Sequence, residues 1–477
     1  MQTLPSRLAR SFVLLALLVL PSVAQDALEK KPWNVLVMIA DDLSYAELSC
    51  FGQEYVSTSN IDRLSYEGVS FTRAYAPACG STPSRQGILT GRYPQRSGVE
   101  NDVQFVDPLQ GIPGTEVTLG ERFAAAGYQT AYVGKWGLGM HRTHFPSRHG
   151  FDDFYGFLRD WRRHYPTKEG EKADPRWALM IGNDVIEDPD FRHIDDLLAD
   201  QTLERLKSYG DKPFCHVHSF SAAHTPLQII KEECRELRNT YRGVLSERRT
   251  RMICVINKLD QTVGKILDGL DELGLAENTI VVFCTDSGGR LSKDEPSSNG
   301  PHRGWAGDMW EGSLRVPLLV RWPGVIEESS SYDGMVSLLD VVPTLTAAAG
   351  ATGGPEQAMD GVDLLPFLKG ENEGVPHTEL YFRQGFLKGA AIRPDGSKAV
   401  WHDGTRSSHY YNVLEDPGEA TRIDTREPAR KGGLRQKWRE WANEMKRASW
   451  KRVKVEQEEE EAPTDGGDAP ADDEGGR

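Results

Sequence analysis

The most regular feature of the 477-residue chain is a series of short apolar runs separated by segments with helical spacing of apolar residues. The runs lie at residues 34–40, 130–133, 213–220, 279–284 and 316–320. Such runs are typical of strands buried on both faces, as in a parallel sheet. Residues 118–126 and 252–273 show the helical spacing. This alternation predicts an α/β fold with a mostly parallel sheet flanked by helices.

The pattern changes after about residue 365. Short strand-like segments lie at residues 379–382, 390–392, 399–401 and 409–414, separated by turn sequences such as P-D-G at 394–396. Residues 434–445 then show helical spacing. We therefore predict a large domain over residues 32–364 and a smaller C-terminal α+β subdomain over residues 365–450, with a short antiparallel sheet and a helix.

Polar residues follow four of the apolar runs in the large domain. Asp41 and Asp42 follow the first, Lys135 the second, His224 the third and Asp286 the fourth. Ligands of open α/β sheets bind beyond the carboxyl ends of the strands, so we expect these side chains to form one site. Taken singly, each has a simpler interpretation, as a turn, a surface lysine or a structural histidine.

The N-terminus has the features of a secretory signal. Arg7 and Arg10 precede an apolar stretch at residues 12–20, and S-V-A at residues 22–24 fits a cleavage site. The stretch is too short to span a bilayer, which makes a retained membrane anchor the weaker alternative. We predict a signal peptide over residues 1–24 and a secreted or periplasmic protein without a membrane partner after cleavage.

The formal net charge of −15 is concentrated at the C-terminus, where residues 456–477 hold ten acids and one base. This segment has almost no apolar residues and is predicted to be a disordered acidic tail. The acidic balance argues against a nucleic-acid partner. The six cysteines match no zinc spacing and are too few to form a disulfide scaffold, and Cys215 and Cys284 are predicted to be buried.

The segment that says most about chemistry is S-T-P-S-R at residues 81–85, followed by Q-G-I-L-T-G-R. It resembles the signature of the sulfatase family, in which a Cys or Ser is oxidised to formylglycine and becomes the nucleophile. The family pattern has Pro two residues and Arg four residues after that position. Pro83 and Arg85 fit Ser81, whereas counting from Cys79 gives Ser81 and Pro83, so Cys79 does not fit.

Further blocks resemble the family in the same order. They lie at residues 34–45, 58–72, 127–136, 150–156, 223–226 and 310–317. By this resemblance the chain is identified as a member of the sulfatase family, arylsulfatase-like and of the alkaline phosphatase superfamily. The resemblance implies an alkaline-phosphatase-like α/β fold and a sulfuric ester hydrolase (sulfatase) activity.

The resemblance also implies a metal site. Asp41, Asp42 and Asp286 correspond to carboxylates that hold one divalent cation, usually Ca²⁺, and Ser81 would complete the set of metal ligands as formylglycine. An all-oxygen shell suits such a hard cation. The bound ion would lower the pKa of the nucleophile and neutralise sulfate charge.

The remaining implied roles are catalytic. Hydrated formylglycine at Ser81 has two hydroxyls: one attacks sulfur and expels the alcohol, and the other loses its proton so that the carbonyl reforms and sulfate leaves. Ordinary serine cannot perform that second step. Arg85 would hold the hydrate, Lys135 the sulfate oxygens, and His224 would stabilise charge or protonate the leaving oxygen. Pro83 favours a helix start, which would set Ser81 at a helix N-terminus suited to an anion.

Three positions depart from the family pattern. Gly137 replaces a usual His that contacts the hydrate, Ser287 replaces a usual Asn beside the metal, and Ala306 replaces a frequent Lys that faces the sulfate or leaving group. Losing one charge partner of the transition state costs roughly 3 kcal/mol. The nearby histidines that could substitute are His141, His144 and His302.

The leading hypothesis is a secreted sulfatase that hydrolyses O-sulfate esters of a carbohydrate. Its expected partners are a sulfated small molecule or glycan and a formylglycine-generating maturation enzyme. Two alternatives stay open: a phosphatase or phosphodiesterase that uses unmodified Ser81, and a catalytically degenerate protein that binds sulfated glycans. Trp161, Trp305 and Trp310 are candidates either for stacking on sugar rings or for the core.

Overall fold

The computed structural model describes residues 31–103, 106–160, 162–166, 178–187, 191–290, 297–351, 355–385, 387–402, 408–423 and 433–450. The predicted signal peptide, the acidic tail and Trp161 lie outside these described residues. The chain from Pro32 onward forms a compact unit. Within the described ranges, no helix is long and apolar enough to cross a membrane.

The strands of the described chain are, in order, β1 Asn34–Ala40, β2 Val69–Phe71, β3 Ala74–Tyr75, β4 Gln129–Lys135, β5 Asp153–Phe157, β6 Leu179–Ile181, β7 Asp184–Ile186, β8 Phe214–Ser219, β9 Thr279–Thr285, β10 Arg315–Val316, β11 Leu318–Arg321, β12 Ser330–Tyr332, β13 Val336–Ser337, β14 Leu380–Gln384, β15 Lys388–Ile392, β16 Ser397–Trp401 and β17 His409–Asn412. The α-helices are α1 Ser59–Tyr66, α2 Ser81–Thr90, α3 Leu119–Ala125, α4 Ile194–Tyr209, α5 Arg235–Thr240, α6 Glu247–Glu272, α7 Glu311–Leu314, α8 Val341–Ala349, α9 Leu365–Leu368 and α10 Leu434–Glu444.

The large sheet has the strand order β12-β2-β11-β9-β1-β8-β4-β5-β6-β7. Its centre is parallel, because β1 pairs in parallel with β8 and β9, and β4 pairs in parallel with β5 and β8. Strand β11 is antiparallel to β9, and β6 and β7 form an antiparallel edge. The predicted α/β fold with a mostly parallel sheet is confirmed.

Helices cover both faces of this sheet. Every residue of β1 is buried, and its side chains alternate between two cores. Val35, Val37 and Ile39 pack in a core that includes residues of α2, α3 and α8. Leu36 and Met38 pack in a second core with residues of α1, α4 and α6. Burial of each such side chain contributes about 1.5–3 kcal/mol, which explains the continuous apolar run.

The predicted strand at residues 316–320 is divided in the structure. Val316 ends β10, which pairs with β3 in a small three-stranded sheet, whereas β11 belongs to the large sheet. Pro317 lies between them and has no N–H to donate to a strand ladder. The apolar pattern alone did not predict that this run divides between two sheets.

The C-terminal region contains the expected antiparallel sheet, in the order β14-β15-β16-β17. One of its faces packs on α10 through Trp401, Leu434 and Trp438. Its other face shares a core with Tyr75 and Trp310, so it rests directly on the elements near the start of α2. The predicted boundary between residues 364 and 365 stays a prediction.

The cysteines follow the expectation for buried positions. Cys215 and Cys284 are fully buried in the central strands. Cys234 and Cys254 form a disulfide that joins the segment before α5 to α6. The sequence spacing had not identified this pair.

Candidate functional site

The predicted site residues meet at the carboxyl edge of the parallel strands. Asp41 and Asp42 follow β1, Lys135 ends β4, Asp286 follows β9, and His224 lies in the loop after β8. Strands β4, β8, β1 and β9 are consecutive neighbours in the sheet, so their ends open onto one place. The structure brings all five side chains into this place.

Three carboxylates form the centre of the site. Asp41, Asp42 and Asp286 are 0%, 3% and 0% exposed, and each contributes an oxygen within 4.8 Å of the others. The Asp42 N–H donates to Asp286 Oδ1 over 3.1 Å. Asp42 has a φ of 52°, a left-handed conformation that Asp adopts more readily than most residues. This turn directs adjacent carboxylates toward the same point.

The donor set fits a hard divalent cation. Burial raises the pKa of Asp41 well above its usual range, and the neighbouring Lys135 only partly opposes this shift. Burial also disfavours the charged form of Asp286, but the charges of Arg85 and Lys135 outweigh it and lower the pKa of that carboxyl. Buried carboxylate oxygens that converge in this way are the ligands that calcium prefers.

Ser81 is the first residue of α2 and is fully buried. Its Oγ lies 2.5 Å from Asp286 Oδ2, to which it donates. It accepts from Lys135 Nζ over 3.0 Å and from Arg85 Nε over 3.2 Å. The residue before it, Gly80, has no side chain to cap α2, and the Thr82 N–H of the first turn donates instead to Asp102 Oδ1 over 3.0 Å. The serine oxygen therefore lies between one of the carboxylates and two cations.

Arg85 connects the nucleophile helix to the strand ends. Its Nε donates to Asp286 Oδ2 over 2.6 Å, and its Nη1 donates to Ser219 Oγ over 2.6 Å. Ser219 ends β8, which approaches β4 closely at Gly134. A Cβ on Gly134 would lie 1.8 Å from the Ser219 carbonyl oxygen, and Gly134 has a φ of +112°. Only glycine permits this close approach, which holds Lys135 and Arg85 side by side.

Lys135 is fully buried among acceptors. Its Nζ donates to both carboxylate oxygens of Asp41 over 2.8 Å, and it lies 2.9 Å from Asp160 Oδ1. Burial disfavours the charged lysine, but Asp160 and Asp41 outweigh that effect and raise its pKa. Burial likewise opposes ionisation of Asp160, yet Lys135 and Arg290 lower the pKa of that carboxyl. Lys135 is therefore a fixed positive charge next to Ser81.

His224 is almost fully buried and lies next to Asp42. Its Nε2 is 3.6 Å from Asp42 Oδ2, and its Nδ1 is 2.5 Å from the Thr225 carbonyl oxygen. Because a carbonyl oxygen only accepts, Nδ1 carries the proton and Nε2 carries a lone pair. Burial, with a smaller effect from Arg290, lowers the pKa of His224 to about 4. Its Nε2 must therefore gain a proton before it can protonate a leaving group.

The three departures have distinct local consequences. Gly137 has a φ of +66°, and a Cβ on it would lie 3.4 Å from both Arg85 Cδ and Lys135 Cε, so this glycine packs closely against the two cations. Ser287 Oγ donates to Asp42 Oδ1 and stays in contact with the carboxylate group. Ala306 donates its N–H to the Gly289 carbonyl oxygen over 3.2 Å.

The histidines considered as substitutes have partners outside the carboxylate group. His144 bonds the Ile112 carbonyl oxygen through Nδ1 over 2.8 Å, and His141 bonds Thr143 over 2.9 Å. His302 packs edge-on against Tyr45. That any of them takes the place of the missing side chains stays a prediction.

Of the tryptophans left open, Trp310 belongs to the core. It is 9% exposed and packs on Tyr411 of the C-terminal sheet, with the Arg303 guanidinium 3.9 Å from its ring centre. Trp305 is only partly buried, and its backbone N–H donates to Asp308 Oδ2 over 3.2 Å, so its role stays open.

Three charged residues at the site were missed in the sequence. Asp102 accepts from the Thr82 N–H over 3.0 Å and thereby caps α2. Burial and then the charge of Asp160 raise the pKa of Asp102 to about 6. Arg290 pairs with Asp42 through its Nε. Asp160 and Arg290 follow β5 and β9, so the strand-end rule applied to Lys135 could have found both.

Comparison with known proteins shows the family to which the chain belongs. A family model described as Sulfatase matches residues 33–351, and one described as N-sulphoglucosamine sulphohydrolase, C-terminal, matches residues 304–421. Steryl-sulfatase of Rattus norvegicus is 32% identical over 464 residues, covering 80% of this chain and 78% of that protein. Arylsulfatase A of Homo sapiens is 31% identical over 420 residues, covering 81% and 78%.

A solved structure agrees at the level of the whole fold. The structure of Ps i-CgsB in complex with k-i-k-neocarrahexaose superposes with a TM-score of 0.80 and 26% identity, covering 89% of this chain and 95% of that one. The family model spans well over half of the chain and includes the strands that carry Asp41, Lys135 and Asp286. The chain therefore belongs to the sulfatase family and is a sulfuric ester hydrolase.

Proposed function

We propose that this protein is a secreted, calcium-dependent sulfatase that hydrolyses an O-sulfate ester of a carbohydrate through a formylglycine derived from Ser81. The observation that carries the proposal is the environment of Ser81 Oγ. It lies 2.5 Å from Asp286 Oδ2, 3.0 Å from Lys135 Nζ and 3.2 Å from Arg85 Nε, inside the S-T-P-S-R segment.

The charge balance of the site favours a bound cation. Four buried carboxylates lie at the nucleophile corner and three cations pair with them, so the set carries one excess negative charge. The acids are Asp41, Asp42, Asp160 and Asp286, and the cations are Arg85, Lys135 and Arg290. Asp41, Asp42 and Asp286, with an oxygen of residue 81, would hold the ion. When bound, calcium supplies positive charge that stabilises the sulfate and makes the nucleophile more acidic.

The protein's own side chains would then divide the remaining work. Formylglycine supplies a hydrated aldehyde whose second hydroxyl allows the sulfate to leave. Lys135 and Arg85, fixed by buried carboxylates, hold positive charge where negative charge develops on the transferring group. His224 Nε2 faces the same cluster and would carry the proton for the departing alcohol. The fixed positions of these groups mean that little reorganisation accompanies the reaction.

One similar solved structure supports a carbohydrate as the class of substrate. Ps i-CgsB is in complex with k-i-k-neocarrahexaose, and its chain is covered almost completely by this one. Other relatives are named as steryl-sulfatase and N-acetylgalactosamine-6-sulfatase, so the family relationship alone leaves the alcohol open. A screen should therefore compare sulfated oligosaccharides with a steryl sulfate.

The deciding experiment is the mass of the tryptic peptide 74–85, measured on protein from the native host. We expect a peptide lighter by two hydrogens, together with calcium-dependent release of sulfate from a sulfated oligosaccharide. An unmodified serine peptide would contradict the formylglycine chemistry. Turnover of phosphate esters that disappears in Ser81→Ala would then favour a phosphoesterase, and glycan binding without turnover would favour a binding protein.

A further inference from the structure

Arg290 lies at the same strand end as the carboxylate group but has no place in the roles above. It follows Asp286 by four residues in the loop after β9. Its Nε pairs with Asp42 Oδ2, and its charge also acts on Asp160 and His224. This cation is therefore close to both sides of the site, the Lys135 side through Asp160 and the histidine side through His224.

Exposure distinguishes Arg290 from the other two cations. The side chains of Arg85 and Lys135 are 0% exposed, whereas that of Arg290 is 31% exposed. The described cations that pair with Asp41, Asp42 or Asp286 are Arg85, Lys135 and Arg290, since His224 is neutral. Of these three, Arg290 is the one that contacts both the buried carboxylates and solvent. An anionic substrate that approaches the nucleophile from solvent would therefore meet Arg290 first.

The backbone near Arg290 and the buried cations carries small, uncharged residues. Ala306 donates its N–H to the carbonyl oxygen of Gly289, the residue just before Arg290, so the backbone of Ala306 lies next to the loop that carries the arginine. A Cβ on Gly137 would be in van der Waals contact with Arg85 and Lys135. Neither position carries a charged side chain that could bind the sulfate in place of Arg290.

We propose that Arg290 is a catalytic residue that binds the sulfate group of the substrate from the solvent side of the site. A guanidinium has five N–H donors in a planar fork that matches two oxygens of a tetrahedral anion. One edge can stay on Asp42 while the other binds sulfate. The inference depends on the sulfatase activity of this site, but not on whether Ser81 is modified.

The test measures binding of inorganic sulfate by calorimetry, in the presence of calcium, for the wild type, Arg290→Ala and Arg290→Lys. We expect Arg290→Ala to lower sulfate affinity at least tenfold and kcat/KM for a sulfate ester about 100-fold. Arg290→Lys should retain part of both, because it keeps the charge but loses the fork. Arg63→Ala is a matched control, since Arg63 is 28% exposed and pairs with Glu67, which follows α1, and with Asp268 of α6.

Calcium binding separates a substrate contact from a structural role. Removing Arg290 should leave calcium affinity unchanged or higher, because Asp42 loses a competing cation. A fall in calcium affinity that accompanies the loss of sulfate binding would overturn the proposal, as would wild-type sulfate affinity in Arg290→Ala or no sulfate binding by the wild type. Arg290-dependent sulfate binding in protein whose 74–85 peptide is unmodified would support Arg290 while contradicting the formylglycine chemistry.

Discussion

Replacing Lys135 by Met should expose how strongly the site depends on its buried charges. Lys135 Nζ lies 2.8 Å from both Asp41 oxygens and 2.9 Å from Asp160, and all three side chains are at most 1% exposed. Removing one partner of a buried ion pair costs about 3–5 kcal/mol. Arg85 Nη2 remains 3.4 Å from Asp41 Oδ1 and offsets part of the loss, so we expect about 3 kcal/mol.

The assay is urea unfolding of the wild type and Lys135→Met, each in chelator and in calcium. Lys398→Met is the matched control, because Lys398 is also 0% exposed and lies 2.9 Å from both Glu311 and Glu419, in a cluster outside the proposed metal site. Both variants should lose stability in chelator. Calcium should stabilise Lys135→Met more than the wild type, since Asp41 is freed, and should stabilise Lys398→Met only as much as the wild type.

Two results would refute this reasoning. Equal stability of Lys135→Met and the wild type in chelator would mean that the buried ion pairs contribute nothing measurable. If calcium raised the free energy of unfolding by the same amount in both lysine variants, Lys135 and the ion would not compete for the carboxylate of Asp41. Sulfatase activity should fall in Lys135→Met even where calcium restores its stability, because the charge next to Ser81 is lost.

Three further outcomes follow from the site and the core. Ser81→Ala should abolish sulfate-ester hydrolysis while calcium binding measured by calorimetry persists, because three carboxylates remain. Chelation should abolish hydrolysis and lower the thermal midpoint, and adding calcium back should reverse both; activity that survives exhaustive chelation would contradict a metal role. Burial lowers the pKa of His218 to about 3, so its stabilising contribution is present above pH 6.5 and is lost as pH falls. Replacing His218 with Gln should reduce the stability lost between pH 7 and 5 by about 2 kcal/mol, measured by urea unfolding at both values.

The sequence predicted the features that depend on local patterns. Apolar runs identified the buried strands because a strand covered on both faces needs no polar positions, as in β1. The strand-end rule then located Asp41, Lys135 and Asp286 at one edge, since parallel neighbours end on the same side. The same rule covers Asp160 and Arg290, and they were missed only because no motif directed attention to them.

Other features depend on contacts that no local pattern contains. Asp102 reaches α2 across 20 residues to cap Thr82, and the Cys234–Cys254 disulfide depends on how α6 packs. The division of residues 315–321 between two sheets depends on which neighbour each half meets around Pro317. The partner of His144 likewise depends on loop geometry, which brings its Nδ1 to the Ile112 carbonyl oxygen.

The two buried lysine clusters show what distinguishes a structural charge group from the proposed metal site. At Lys398, two glutamates face one lysine, and burial raises the pKa of Glu419 to about 7, so a proton can remove the excess charge. At the site four buried carboxylates face three cations, so the imbalance is also one negative charge. The pKa of Asp286 is nevertheless lowered, which keeps that carboxylate ionised. Asp41, Asp42 and Asp286 each place an oxygen within 4.8 Å of the others, so one hard cation could bind all three, and this convergence, rather than the count of charges, distinguishes the site from the Lys398 cluster.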